Sequence, residues 1–169
     1  MRRIYLIGFM GSGKTTLGHI LAKRLKTKFI DLDEWIELKE KRSIATLFQT
    51  DGEAYFRDLE YKALNAIKSD AVIATGGGII ENTKALNYLK KQDTVFYLKT
   101  SFETCLKRIQ APEERQKRPL ARLDSNQLKA RFNLRESLYT RVASATLQTD
   151  SQLKEILNEA LSFLDHKGI

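Results

Sequence analysis

The chain has 169 residues, 42% hydrophobic and 30% charged, with a formal net charge of +8. That length suits one domain burying about 70% of the surface its unfolded chain exposes, and the composition is that of a soluble globular protein. A single cysteine, Cys105, and two histidines exclude an internal disulfide framework and a zinc cluster. Cys105 reads as a small core residue in a reducing compartment. No apolar run approaches the length needed to span a bilayer. Met1-Arg2-Arg3 before Ile4–Ile7 faintly mimics a signal peptide, but cleavage there would destroy the glycine-rich motif that follows. The lysines and arginines are scattered, with no basic stripe interleaved with aromatics. Small anionic ligands are therefore the expected partners, with no nucleic acid and no membrane, and the chain is expected to be a cytoplasmic monomer.

Ile4-Tyr5-Leu6-Ile7 is an unbroken apolar run, the pattern of a strand buried on both faces. It leads into Gly8-Phe9-Met10-Gly11-Ser12-Gly13-Lys14-Thr15-Thr16, which fits the phosphate-cradling P-loop. Its glycines permit positive φ and close approach of the backbone to an anion. The N–H groups of the following helix's first turn then face the phosphates. Lys14 supplies a mobile cation, and the Thr15 hydroxyl is a hard ligand for Mg2+. Leu17, Ile20, Leu21 and Leu25 continue at helical spacing.

A short second strand, Phe29-Ile30, is expected to end in Asp31-Leu32-Asp33, with helices over 34–41, 44–49 and 53–68. The third strand, 71–74, leads into Thr75-Gly76-Gly77-Gly78. A helix near 83–90, a strand over 95–98 and a helix over 102–109 follow. Periodicity disappears from Gln110 to Asp124, a stretch with both prolines and a dense charge run from Glu113 to Arg122. A loop of that length is usually functional or disordered. A helix over about 126–139, a weak strand near 145–148 and a last helix complete the chain. That last helix carries Leu153, Ile156, Leu157, Ala160, Leu161 and Leu164 on one stripe. Strands alternating with helices predict an α/β fold with a five-stranded parallel sheet.

In such a sheet, ligands sit beyond the carboxyl ends of the strands. Asp31 and Asp33 fall there. One can hold a metal's water shell while the other accepts a proton from a hydroxyl; alternatively Asp33 caps the next helix. The glycine run, costly in folding entropy, suits close approach to a ligand or a flexible turn. Arg135 lies in line with Leu128, Phe132 and Tyr139, on the apolar side of its helix. A guanidinium on that face needs an anion, which a ligand or a carboxylate of the protein would supply. Arg57, beside Phe56, is marked only weakly. The basic segment Arg115–Arg122 could supply an arginine to a phosphoryl group in flight, or form a solvated loop. The third strand ends Ala74-Thr75-Gly76 without the metal-linked acid of many P-loop NTPases. Metal support would then come from Asp31, which points towards small-molecule kinases.

Taken together, Gly8 to Lys14, Asp31-Leu32-Asp33, Phe56-Arg57, Gly76-Gly77-Gly78, Arg118-Pro119-Leu120 and Arg135 ahead of Leu138-Tyr139 resemble the shikimate kinases over essentially the whole length. The resemblance implies a three-layer, nucleoside-monophosphate-kinase-like P-loop fold in a single domain over 1–169. Its lid would be at about 110–124 and its substrate-binding helical segment at about 33–62. It implies transfer of the γ-phosphoryl of MgATP to the 3-hydroxyl of shikimate, in the route to chorismate and the aromatic amino acids. Gly11, Ser12, Gly13, Lys14, Thr15 and Thr16 would bind ATP, and Thr15 and Asp31 would hold Mg2+. Asp33 would bind the acceptor's hydroxyls and act as base. Arg57 and Arg135 would hold its carboxylate, and Gly76, Gly77 and Gly78 would line its site. Arg118 would fold over the phosphates, and Arg108 would pack on adenine. Lys14, Asp33 and Arg118 are the expected catalytic groups. The chain departs from the pattern twice: no acidic residue follows Ala143, and Asp150-Ser151-Gln152 stands where a basic residue near adenine is expected.

Overall fold

The computed structural model describes residues 3–111 and 124–168. The first half contains β1 (Arg3–Ile7), α1 (Lys14–Arg24), β2 (Lys28–Asp31), α2 (Leu32–Glu40), α3 (Ile44–Thr50), α4 (Gly52–Ala66) and β3 (Ala71–Ala74). A 3-10 turn (Ile79–Glu81) follows, then α5 (Thr83–Leu89), β4 (Val95–Lys99), α6 (Phe102–Ile109), α7 (Ser125–Val142), β5 (Ala145–Gln148) and α8 (Leu153–His166).

The strands form one parallel sheet in the order β2-β3-β1-β4-β5. β1 is central, with Tyr5 opposite both Ile73 of β3 and Val95 of β4. Its unbroken apolar run follows from burial on two sides. Ile4 and Leu6 join Leu17 and Leu21 of α1 and Ile156, Ala160 and Leu164 of α8 in one core. Tyr5 and Ile7 pack on the opposite face with residues of α2, α4, α5, α6 and α7. The result is three layers, helix-sheet-helix. The chain visits β2 and β3 on one side of β1, then β4 and β5 on the other. The sheet's switch point, where ligands bind in open α/β folds, therefore lies at the end of β1.

Local signals set most helix starts. Asn82, Ser101 and Asp124 each cap the helix they precede through the side chain, Asp124 within a capping box with Gln127. Several boundaries differ from expectation, two of them with a local cause. The chain is already helical from Leu32, because Asp31 Oδ1 accepts from the Asp33 N–H at 3.1 Å and starts α2. Asp31 and not Asp33 is thus the cap, and the two acids are not on an extended segment. The helix expected over 126–139 runs on to Val142, where it seats another buried apolar side chain.

Of the expected lid over 110–124, residues 112–123 lie outside the described residues, and Arg118 with them. Among the described residues, no helix is long and apolar enough to cross a membrane.

Candidate active site

The phosphate loop joins β1 to α1. Gly13 enters the helix at φ 95°, a left-handed conformation that glycine adopts without a Cβ penalty. The first N–H groups of α1 have no partner one turn earlier and are available to an anion. The Lys14 ammonium is buried over the loop, donating to the carbonyls of Gly8 at 2.8 Å and Phe9 at 2.9 Å. Thr15 and Thr16 are exposed on the first turn, and Ser12 is buried. At the rim, Arg108 Nη1 of α6 donates to the Gly11 carbonyl at 2.9 Å.

Two hard oxygen groups meet beside the loop. The Thr15 hydroxyl donates to Asp31 Oδ2 at 3.0 Å. Among the described residues, no group of three or more His, Cys, Asp or Glu could hold a metal. A hydroxyl and one carboxylate fit Mg2+, which keeps waters and takes phosphate oxygens for its remaining ligands.

Arg57 and Arg135 come together across the mouth of the sheet. Arg57 on α4 bonds Glu60 Oε2 at 2.7 Å and Glu53 Oε1 at 2.8 Å, with its guanidinium near the rings of Phe48 and Phe56. Arg135 on α7 is fully buried, over the Phe9 ring, and its Nη2 lies 2.8 Å from Glu81 Oε2. That same oxygen is 3.8 Å from Arg57 Nη2. Of the two anions weighed for Arg135, the protein supplies one: Glu81 pairs with Nη2, while Nε and Nη1 find no hydrogen-bond partner among the described residues.

The glycine run makes room for this convergence. A Cβ on Gly76 would run into Glu60 Oε1 and stand 3.0 Å from Asp33 Oδ1, and one on Gly78 would enter the Arg57 guanidinium. At Gly77, a Cβ would lie 3.2 Å from Met10 N, so the run also adjoins the phosphate loop. The Tyr139 hydroxyl, one turn beyond Arg135, donates to the Gly77 carbonyl and pins it. Asp33, Arg57, Arg135 and Gly76–Gly78 therefore lie together beside the loop.

Burial pushes the Glu60 carboxyl up to about 7, although Arg57 pulls it back down and Asp33 adds to the rise. For Arg57, burial alone would lower the pKa, but the Glu60 and Glu53 carboxylates outweigh it and raise it. Burial would likewise raise Glu53; Arg131 and Arg57 together hold it below the usual range. Burial pushes the Cys105 thiol up to about 11, in keeping with a core residue.

Sequence reasoning missed three carboxylates of the site. Glu53 and Glu60 stand four residues before and three after Arg57, so helical spacing could have found them. Glu81 pairs across 54 residues and leaves no local signal. Asp150, where a basic residue near adenine is expected, accepts from the Ser101 N–H at 3.0 Å and ties the end of β5 to the start of α6.

A family model described as "Shikimate kinase" matches residues 10–165. The shikimate kinase of Sulfurihydrogenibium sp. (strain YO3AOP1) is 40% identical over 165 residues, covering 96% of this chain and 97% of that protein. A solved shikimate kinase from Acinetobacter baumannii in complex with shikimate superposes with a TM-score of 0.91 at 33% identity, over 99% of this chain and 94% of that one. A gluconokinase from Sinorhizobium meliloti shares only the fold, at a TM-score of 0.62 and 18% identity over 98% of this chain and 92% of that one. On the family match and the near-full-length identity, this chain belongs to the shikimate kinase family.

Proposed function

We propose that this chain transfers the γ-phosphoryl of ATP to the 3-hydroxyl of shikimate, giving 3-phosphoshikimate and ADP, on the route to chorismate and the aromatic amino acids. The observation that carries this reading is the pair of buried guanidiniums, Arg57 and Arg135, flanking a glycine run that touches the phosphate loop. Two arginines facing one anion make a charge-assisted clamp for a carboxylate. A carboxylate held there sets the rest of a small ring against Asp33 and the loop.

The roles follow from position. Gly11, Ser12, Gly13, Lys14, Thr15 and Thr16 cradle the nucleotide phosphates, with Lys14 leaving its loop carbonyls for the β- and γ-oxygens. Thr15 and Asp31 would hold Mg2+, which would supply charge neutralisation at the phosphates. Asp33, in the first turn of α2, binds the acceptor hydroxyl and takes its proton. Gly76, Gly77 and Gly78 form the floor beneath the acceptor, and the helical segment 33–62 forms its wall. Arg108 flanks the nucleotide from the loop's rim. Arg118 is assigned to the closing lid at about 110–124 on the family pattern alone. Closure there would keep water from competing for the phosphoryl group.

ADP release from MgATP is measured with shikimate, gluconate and no acceptor. Stimulation by shikimate alone is expected. Stimulation by gluconate instead, or by neither in protein that still binds ATP, overturns the acceptor assignment.

A further inference from the structure

Glu81 ends the 3-10 turn that directly follows the glycine run. Among the described residues it is the carboxylate that pairs with Arg135, and its Oε2 stands between the two arginines, 2.8 Å from Arg135 Nη2 and 3.8 Å from Arg57 Nη2. The three carboxylates at these arginines are not equivalent. Glu60 is fully buried, and Glu53 is shared with Arg131 of α7. Glu81 keeps a quarter of its side chain exposed and bonds a guanidinium that has none exposed. Glu53 is more exposed, at 34% of its side chain, but is held by Arg131 as well as by Arg57; Glu81 is the partly exposed carboxylate whose partner, Arg135, is fully buried. A fully buried guanidinium without an anion is strongly unfavourable, so another carboxylate has to arrive as Glu81 departs.

We propose that Glu81 is a placeholder for the acceptor's carboxylate: in the acceptor-free protein it neutralises Arg135 and orients both guanidiniums, and the acceptor binds by taking its place. This rests on the acceptor reading given above. Binding is then an exchange of one carboxylate for another and not the filling of a bare cation. Glu81 stabilises the free protein and weakens acceptor affinity by the same interaction. Analogues without a carboxylate cannot make the exchange and leave Glu81 where it is.

Glu81→Gln keeps an oxygen for Arg135 and removes the charge. Calorimetry is expected to show shikimate bound at least about threefold more tightly, the scale of one competing, partly exposed ion pair. MgADP affinity should stay within about twofold, and the acceptor-free protein should melt at a lower temperature. The methyl ester of shikimate should gain less than the acid. Glu81→Asp retains the charge and should return affinity towards that of the unmutated protein. A Gln variant that binds shikimate no tighter, or more weakly, overturns the proposal, because a Glu81 that merely holds Arg135 in place predicts that result. So does an Asp variant as tight as Gln. If the Gln variant is recovered only unfolded, shikimate present during refolding should rescue it, and no rescue overturns the proposal. Unmutated protein without shikimate-dependent ADP release overturns the acceptor reading itself. Activity there, with no tightening in the variant, overturns only the role of Glu81.

Discussion

The Thr15 hydroxyl and the Asp31 carboxylate meet at 3.0 Å through Oδ2, while Oδ1 of the same carboxylate caps α2 by accepting the Asp33 N–H at 3.1 Å. One side chain thus joins the phosphate loop to the helix that carries the proposed base. Its two oxygens can be separated by mutation. Asp31→Asn keeps a capping oxygen as good as that of Asp but loses the charge. The Mg2+ concentration for half-maximal rate should rise by about 10-fold or more, the scale seen when a metal site loses a supporting carboxylate. The melting temperature should change by no more than about 2 °C. Asp31→Ala should lose the cap as well, costing about 1 kcal/mol, or roughly 2–4 °C for a chain this long. Mg2+ titrations of rate beside thermal melts check both.

Asp31, and not Asp33, accepts the N–H that starts α2. Asp33→Asn should therefore melt with the unmutated protein while its turnover falls about 10²- to 10⁴-fold, the usual contribution of a positioned base. A melting temperature that collapses would show that Asp33 holds the fold.

The Lys14 ammonium donates to the Gly8 and Phe9 carbonyls and lies within reach of the Ser12 hydroxyl, groups readily exchanged for phosphate oxygens. Lys14→Ala should lower turnover by about 10²-fold or more, as loss of one group aimed at developing charge does elsewhere. A rate near that of the unmutated protein contradicts the phosphate role.

Arg135→Ala removes one arm of the proposed clamp and leaves Glu81 with Arg57 at 3.8 Å. Shikimate affinity should weaken by about 2–4 kcal/mol, while MgADP binding is spared. Calorimetry with each ligand separates the two, and unchanged shikimate affinity refutes the clamp.

The carboxylates around Arg57 give opposite pH dependences. Glu60 is raised from its ordinary 4.5 to about 7, chiefly by burial, so the folded chain binds more protons than the unfolded one between those values. Stability from this group is present below about pH 4.5 and declines as pH rises through 7. Glu53 is lowered, the pull of Arg131 and Arg57 exceeding the effect of its burial. Its contribution is present above the ordinary carboxylate range and disappears as pH falls through its lowered value. Thermal melts from about pH 5 to 8 at fixed ionic strength should slope downwards, and Glu60→Gln should flatten that slope. An unchanged slope in the variant would contradict the assignment to Glu60.

The elements and the phosphate loop were legible because their signals are local. The run Ile4–Ile7 and the stripe of the last helix report burial through their own spacing: the structure buries Ile4–Ile7, Ile156, Ala160 and Leu164, half-buries Leu157 and Leu161, and leaves Leu153 exposed. The acids after β2 were legible as a pair but not in their division of labour. Strand and helix periods compete at Asp31-Leu32-Asp33, and one capping bond decides between them. Arg135 could be found from its helix face, since a cation among Leu128 and Tyr139 is out of place. Its partner could not, because Glu81 reaches it only through the crossing of the 3-10 turn beneath α7.

The glycine run limits how this site can vary. The spaces where methyl groups would stand at Gly76 and Gly78 are filled by the Glu60 carboxyl and the Arg57 guanidinium, both from α4. The run is therefore a mould and not a hinge. A side chain added at Gly76 or Gly78 must evict the Glu60 carboxyl or the Arg57 guanidinium. A lineage adapting this scaffold to a differently shaped acceptor would have to redraw the walls, on α4, α7 and the turn at Glu81, and leave the floor bare.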